Sequence, residues 1–401
     1  MKFSVIASSP TLELSGANVL VANLLDELSK EGVKTGWIVT DHAPKDDAEW
    51  LGSRRFPISR LPPTKLFDVS RRQQLLLSNL ESASPCIYLP NFDFDMACAI
   101  PALSLASRGV LIMHCDDPVY YNFIERQGDL FDAIVCVSEF LANKLRSRHP
   151  ELSERIVHIP FGIEIPDHPA LKKRGERSSK DPLRVAYCGR LSFHQKRIQD
   201  LARIINRCHA DSLPVEFHIA GAGPDEEEFF ASISVPFGQR KVHRHGFLPN
   251  AGVLSLLEQS DVLLMTSDFE GLPMVLLEAM SRGCIPVVTA IQSGIGEVVR
   301  DGESGYLHSV GDVESFVTSL ARLTAAPDEL DRIQRAAYAR IKDGEFTLSR
   351  AATAYRQLFA LLTGGGLGLT APRSGLPIVP VTYRLATRLG GAIARLFASN
   401  R

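Results

Sequence analysis

Apolar positions along the chain fall into two alternating patterns. Short runs rich in β-branched residues recur in the first half as KFSVIAS (2–8), TGWIVTD (35–41), CIYLP (86–90), GVLIMHC (109–115), AIVCVS (133–138) and RIVHIP (155–160). In the second half they recur as LRVAYCG (183–189), VEFHIAG (215–221), KVHRHGF (241–247), DVLLMTS (261–267), CIPVVTA (284–290) and a shorter GYLHSV (305–310). Between them the spacing becomes helical: from about Ala17 to Lys30, Leu20, Leu24, Leu25 and Leu28 share one face, and Gly32 ends the pattern. Near-continuous apolar strands alternating with amphipathic helices predict βαβ units around parallel sheets buried on both faces. The fold class expected is α/β, with two Rossmann-like, doubly wound domains.

The grammar breaks once and then restarts. IPFGIEIPDHPALKKRGERSSKDP (159–182) is rich in Pro, Lys, Arg and Ser and poor in apolar residues, which marks an interdomain linker. The expected organisation is an N-terminal domain at 1–165, a linker at 166–182 and a second domain at 183–345. A C-terminal helix at 346–362 is expected to pack back towards the first domain, within a stretch read as helical from about Arg332 through Leu362. A Gly-rich tether and basic tail follow at 363–401. Two such domains in tandem place the carboxyl ends of both sheets at one cleft, where ligands of doubly wound sheets bind.

Composition narrows the function classes. The 401 residues carry 44 Lys and Arg against 46 Asp and Glu, a net charge of −2, so there is no basic field and no nucleic acid partner is implied. Seven cysteines without a CxxC pair, several inside strand-like runs, read as buried free thiols of a reducing compartment. The N-terminus reads as a strand, and no stretch of 18 apolar residues offers a membrane span. The expected location is the cytoplasm.

Candidate chemistry concentrates in SDFEGLPMVLLEAMSRGCIPVV (267–288). Glu278 sits among Leu, Ala and Met, and a buried carboxylate is costly unless hydrogen-bonded; paired ligand hydroxyls, such as those of a ribose, would satisfy it. A salt bridge to a neighbouring Arg or Lys would do so equally well. Pro273 fits the first helical position, and Gly283 fits the stop. The strand, the turn at Gly271 and the helix start together suit a phosphate, with Glu270 at its mouth. In CGRLSFHQKRIQDL (188–201), Arg190 and Lys196 converge on the same sheet edge and would neutralise a diphosphate. The equivalent first turn, SSPTLELSGANVLV, supplies Gly16 just before its helix.

Three further signals carry less weight. Asp93-x-Asp95 lies in the first half, away from the expected diphosphate site, and is set aside as a metal motif. Gly221 and Gly223 are followed by a crowd of acids that repels a pyrophosphate. His243 and His245 share a strand face, where a structural histidine pair is the more economical reading than a metal site.

Taken together, these motifs resemble those of the retaining GT-B glycosyltransferases of family 4. Glu270 and Glu278 match the E-x7-E motif in its EGLP context, and Arg190 with Lys196 match the GRL…K motif. VSEFLANKL (137–145), IVHIPFGIE (156–164) and GFLPN (246–250) match further family positions. The resemblance covers about residues 1 to 362. It implies a hexosyltransferase of polysaccharide biosynthesis that moves a sugar from a UDP- or GDP-sugar donor to a glycan or lipid-linked acceptor, with retention and with no obligatory metal or other cofactor. By position it assigns Glu278 to ribose hydroxyls, Arg190 and Lys196 to the diphosphate, and Glu270 with the Gly271–Leu272 backbone to the sugar hydroxyls. His114 matches the histidine that faces the reacting sugar. Ser15 before Gly16 and Arg197 after Lys196 replace glycines common in the family. The same fold also serves epimerases and phosphorylases, and a non-catalytic binding subunit would show degenerate motif residues; none is degenerate here. Residues 378–401 carry four arginines and no acid on an apolar helical pattern. This suits either a helix at an anionic inner-membrane surface or one docked on the protein itself.

Overall fold

The computed structural model describes residues 3–41, 49–52, 54–63, 68–166, 181–234 and 241–364. Most of the expected linker, and the tether and tail from residue 365 on, lie outside the described residues. The first sheet contains β1 (Ser4–Ser9), β2 (Lys34–Val39), β3 (Ile58–Arg60), β4 (Cys86–Pro90), β5 (Arg108–Met113), β6 (Ala133–Cys136) and β7 (Ile156–His158) in the order β3-β2-β1-β4-β5-β6-β7. The second contains β8 (Leu183–Cys188), β9 (Val215–Ala220), β10 (Val242–Gly246), β11 (Val262–Met265), β12 (Ile285–Thr289) and β13 (Tyr306–His308) in the order β10-β9-β8-β11-β12-β13. Every strand pairing is parallel. Strand order reverses between β1 and β4 in one sheet and between β8 and β11 in the other, and each reversal opens a crevice at the strands' carboxyl ends.

Two departures from the sequence reading have local causes. Strand β3 was not foreseen, because all three of its residues are exposed and no apolar alternation marks it; pairing with β2 holds it at the edge. The stretch expected to be helical from 332 to 362 divides into Pro327–Lys342 and Leu348–Thr363. Thr347 ends the break by capping the second helix, its Oγ1 accepting from Arg350 N, and it also bridges to Ile163.

One apolar cluster runs through both domains. It joins Val5, Leu25, Tyr88 and Ile112 of the first domain to Leu263, Leu276, Met280 and Val288 on one face of the second sheet. The opposite face of that sheet has its own cluster around Val185, Phe217, Ile219 and Leu320. The helix Leu348–Thr363 crosses back to the first domain. There Phe359 meets Phe3 edge-on at 6.4 Å, Arg356 pairs with Glu31 at 3.2 Å, and Arg108 Nε donates to the Leu362 carbonyl at 3.0 Å. A second tie joins the domains: the Glu297 carboxylate accepts from the amides of Phe140 (2.8 Å) and Glu139 (3.1 Å), at the start of the first-domain helix Glu139–Arg148. All seven cysteines are free thiols, six buried and Cys115 half-buried. No helix among the described residues is long and apolar enough to cross a membrane.

Candidate active site

The two crevices face one another across a cavity of about 550 Å³ lined from both domains. All eight residues singled out by sequence line it: Gly16 and His114 from the first domain, and Arg190, Lys196, Glu270, Gly271, Leu272 and Glu278 from the second. The loops after β8 and β11 are stitched together at the reversal point. Thr266 Oγ1 donates to the Lys196 carbonyl at 2.8 Å, and Asp268 N donates to the Gln195 carbonyl at 2.9 Å. This fixes the backbone under two oppositely charged side chains, Lys196 and Glu270, whose Nζ and Oε1 meet at 2.5 Å. Arg190 is exposed at the cavity rim, and its carbonyl is held by the Tyr187 hydroxyl at 2.8 Å.

Helix boundaries shift slightly from the expected ones. Pro273 is the residue before the helix, not its first, with extended ψ of 121°, and the helix proper is Met274–Met280, ending short of Arg282. Seven residues sum few peptide dipoles; the cationic side chains lining the cavity are Arg190 and Lys196, the latter paired with Glu270. The turn containing Lys196 is a short helix, Phe193–Lys196, ended by Arg197 in the left-handed region at φ 46°. Only glycine adopts that geometry without strain; Arg197 is held there by Asp200 at 2.7 Å.

Glu278 is 8% exposed, and its carboxylate accepts from Asn250 Nδ2 at 3.0 Å. Arg282, the neighbour that would have made a salt bridge, instead donates to the Glu278 backbone carbonyl at 3.2 Å. Burial pushes the Glu278 carboxyl above its usual range, opposed by the Asn250 bond and by Arg282. An acid raised in the folded state favours folding when protonated, so stability falls as pH rises through the raised value. A ribose would donate to the ionised form, so nucleotide affinity should rise with pH over the same range; titration calorimetry across that range checks it. A flat profile would mean that Glu278 does not receive the ribose.

Facing these groups, His114 is buried and pushed down to about 3 by desolvation. Its orientation is set by a chain of side-chain amides. Asn18 Nδ2 donates to the Glu13 carbonyl (2.7 Å), leaving Asn18 Oδ1 to accept from Asn91 Nδ2 (2.6 Å) and Asn91 Oδ1 to pair with His114 Nε2 (2.7 Å). This order makes Nε2 the protonated nitrogen and leaves a lone pair on Nδ1, which has no partner. Phe92 stacks on the imidazole at 5.5 Å and itself sits at a positive φ of 52°. Asn18, Asn91, Phe92 and Asn250 were missed as functional residues. Asn250 lay within GFLPN, but the other three give no local signal, since each is defined by a partner 23 to 73 positions away or by its own backbone angle.

Gly271 brings the two halves into contact. A Cβ at this position would lie 2.2 Å from the His114 carbonyl oxygen and 2.9 Å from Cys115 Cα. Gly221 plays a similar part within the second domain, where a Cβ would meet the Gly189 carbonyl at 1.8 Å. That accounts for its glycine without a dinucleotide. Asp93 is committed to Ser8 (2.6 Å) and Thr40 (2.8 Å) in a buried network, and neither it nor Asp95 lines the cavity.

Two Rossmann-like domains closing on a cleft, with the strand orders given above, define the GT-B architecture. HepE of Anabaena in complex with UDP-glucose shares this fold, with a TM-score of 0.73 at 15% identity over 89% of this chain and 99% of HepE. Residues 14–165 match Glycosyltransferase Family 4, and residues 182–326 match Glycosyl transferases group 1. AmsK of Erwinia amylovora, an amylovoran biosynthesis glycosyltransferase, is 31% identical over 306 residues, 72% of each chain. The chain belongs to glycosyltransferase family 4. WcaL of Salmonella typhimurium, named for colanic acid biosynthesis, is 28% identical over 228 residues, or 55% of this chain; the match spans only about half of WcaL, 53% of its length.

Proposed function

We propose that this chain is a retaining hexosyltransferase that moves a sugar from a nucleotide-diphosphate donor to a glycan or lipid-linked acceptor in the assembly of a bacterial-type surface polysaccharide. The observation that carries this reading is the meeting of Lys196 and Glu270 on the second-domain wall of a cavity whose first-domain wall carries His114, with Gly271 against the His114 carbonyl. Arg190 and Lys196 bind the diphosphate and stabilise the charge it gains as it leaves. When the diphosphate takes up Lys196, Glu270 is released to accept from the sugar hydroxyls, alongside the amides of Gly271 and Leu272. His114 Nδ1, fixed as an acceptor, takes a further sugar hydroxyl. Glu278 holds the ribose. Gly16, at the start of the helix Gly16–Lys30, lines the cavity and meets the donor from the first domain.

A leaving group neutralised by two cations needs no metal, and turnover is expected to survive chelation. The names of AmsK and WcaL, glycosyltransferases of amylovoran and of colanic acid biosynthesis, and the UDP-glucose bound to HepE support a glycan acceptor and a uridine donor. The decisive experiment offers UDP-, GDP- and ADP-sugars with and without candidate acceptors in EDTA, and follows nucleotide release. Acceptor-dependent release from a UDP- or GDP-sugar is the expected result. Release without acceptor would indicate a hydrolysing epimerase, and strict dependence on Mg²⁺ or Mn²⁺ would overturn the metal-free reading.

Residues 378–401 are read as a reversible anchor at the inner face of the cytoplasmic membrane, where a lipid-linked acceptor is found; the support is their cationic, acid-free composition. Each basic residue near an anionic surface contributes about 1 kcal/mol. In flotation, the full chain should rise with anionic liposomes and not with neutral ones, whereas a chain ending at Leu362 should stay below. Equal behaviour of the two chains would assign the tail to the protein's own surface.

A further inference from the structure

One edge of the second sheet carries a cluster of side chains that glycosyl transfer does not use. Strand β9 bears Glu216 and His218 two residues apart, and β10 bears His243 in register with His218, so the three side chains leave one face of the sheet. None of the three lines the donor cavity. The two imidazoles stack at 4.5 Å, nearly parallel at 9°. His243 Nε2 lies 2.6 Å from Glu216 Oε1, His218 Nε2 lies 3.8 Å from Glu216 Oε2, and one ligand atom from each residue falls within 4.8 Å of the other two. His218 Nε2 is buried without a hydrogen-bond partner, while its Nδ1 is 3.1 Å from His245 Nε2.

We infer that Glu216, His218 and His243 form a binding site for one divalent transition-metal ion of the zinc type, separate from the donor site. Two imidazoles and a carboxylate favour zinc, cobalt or nickel over the oxygen-seeking magnesium and calcium. Bond lengths of about 2.0 to 2.2 Å set tetrahedral ligand atoms roughly 3.3 Å apart. The observed spacings bracket that distance, so small side-chain rotations close the shell. His245 supplies what an outer-shell partner ordinarily supplies, a bond to Nδ1 that turns the Nε2 lone pair of His218 inward. The ion takes the place of the proton shared by His243 Nε2 and Glu216, and that proton passes to His243 Nδ1 or to water. One cation opposes it: Arg184 Nε lies 3.6 Å from Glu216 Oε2, on a side chain that is 45% exposed and free to turn towards water. With the ion bound, edge strand β10 is cross-linked to β9 just before the loop Phe247–Asn250 that lines the donor cavity.

The test is independent of glycosyl transfer. The metal-free full chain is titrated with Zn²⁺ by calorimetry and with Co²⁺ by visible absorption, alongside Glu216→Gln and His243→Asn, with circular dichroism confirming that both variants fold. Wild type should take up one ion per chain, and each variant should bind at least about tenfold more weakly, since even outer-shell losses cost 10- to 100-fold. The Co²⁺ form should show ligand-field bands without thiolate charge-transfer absorption. Absence of binding, affinity unchanged in both variants, or thiolate absorption from Cys115 would each overturn the site.

Discussion

Replacing Gly271 with alanine is expected to reduce turnover by at least about 10²-fold, the size of loss that follows a misplacement near 1 Å at a reacting centre. The cause is steric and lies between domains. The added methyl would sit 2.2 Å from the backbone oxygen of His114, and neither partner is the movable end of a side chain. One of them must retreat, and the first-domain face that carries His114 retreats with it. Donor affinity should change far less, because Arg190, Lys196 and Glu278 all belong to the second domain and keep their places. Measuring kcat together with nucleotide affinity separates the two effects. Wild-type turnover in a folded Gly271→Ala protein would show that reaction does not require this closed contact.

Lys196→Ala should lower kcat by about 10²- to 10³-fold, the usual consequence of removing one preorganised group from a developing negative charge. Two losses combine. The diphosphate departs with one cation fewer, and Glu270, only 6% exposed, is left without the ammonium that now neutralises it. Without that contact the Glu270 carboxylate loses the donor that sets its position in the cavity. Glu270→Gln in the Lys196→Ala background distinguishes the contributions. If the double variant is no slower than Lys196→Ala, the lysine acts largely through Glu270; a further loss assigns each residue its own share.

Much of the site is legible in the sequence because its residues are tied to local punctuation. Lys196 and Glu270 each follow an apolar strand within a few residues, and the strand's end fixes where the loop must emerge. Glu278 is conspicuous by being charged in an apolar helix. The amide chain Asn18–Asn91–His114 is not legible, since nothing in any one segment announces a partner in another. The short helix Met274–Met280 shows the opposite limit: Pro273 and Gly283 bracket it correctly to within a turn, but Pro273 keeps an extended ψ of 121° and the helix starts one residue later, a shift that residue spacing does not reveal. Strand β3 was hidden for a third reason, because an exposed edge strand is stabilised by its neighbour's backbone and leaves no apolar trace.

The carboxylate of Glu297 completes the start of a helix belonging to the opposite domain. Within its own domain the same helix start has Ser138, whose Oγ accepts from Leu141 N at 3.3 Å, so any parting of the cleft would cost it Glu297 alone. A helix-start hydrogen-bonding group contributes about 0.5 to 2 kcal/mol, which would favour the closed arrangement over a parted one by roughly 2- to 30-fold. Part of what keeps the two walls of the cavity together is thus supplied by a residue that lines neither of them.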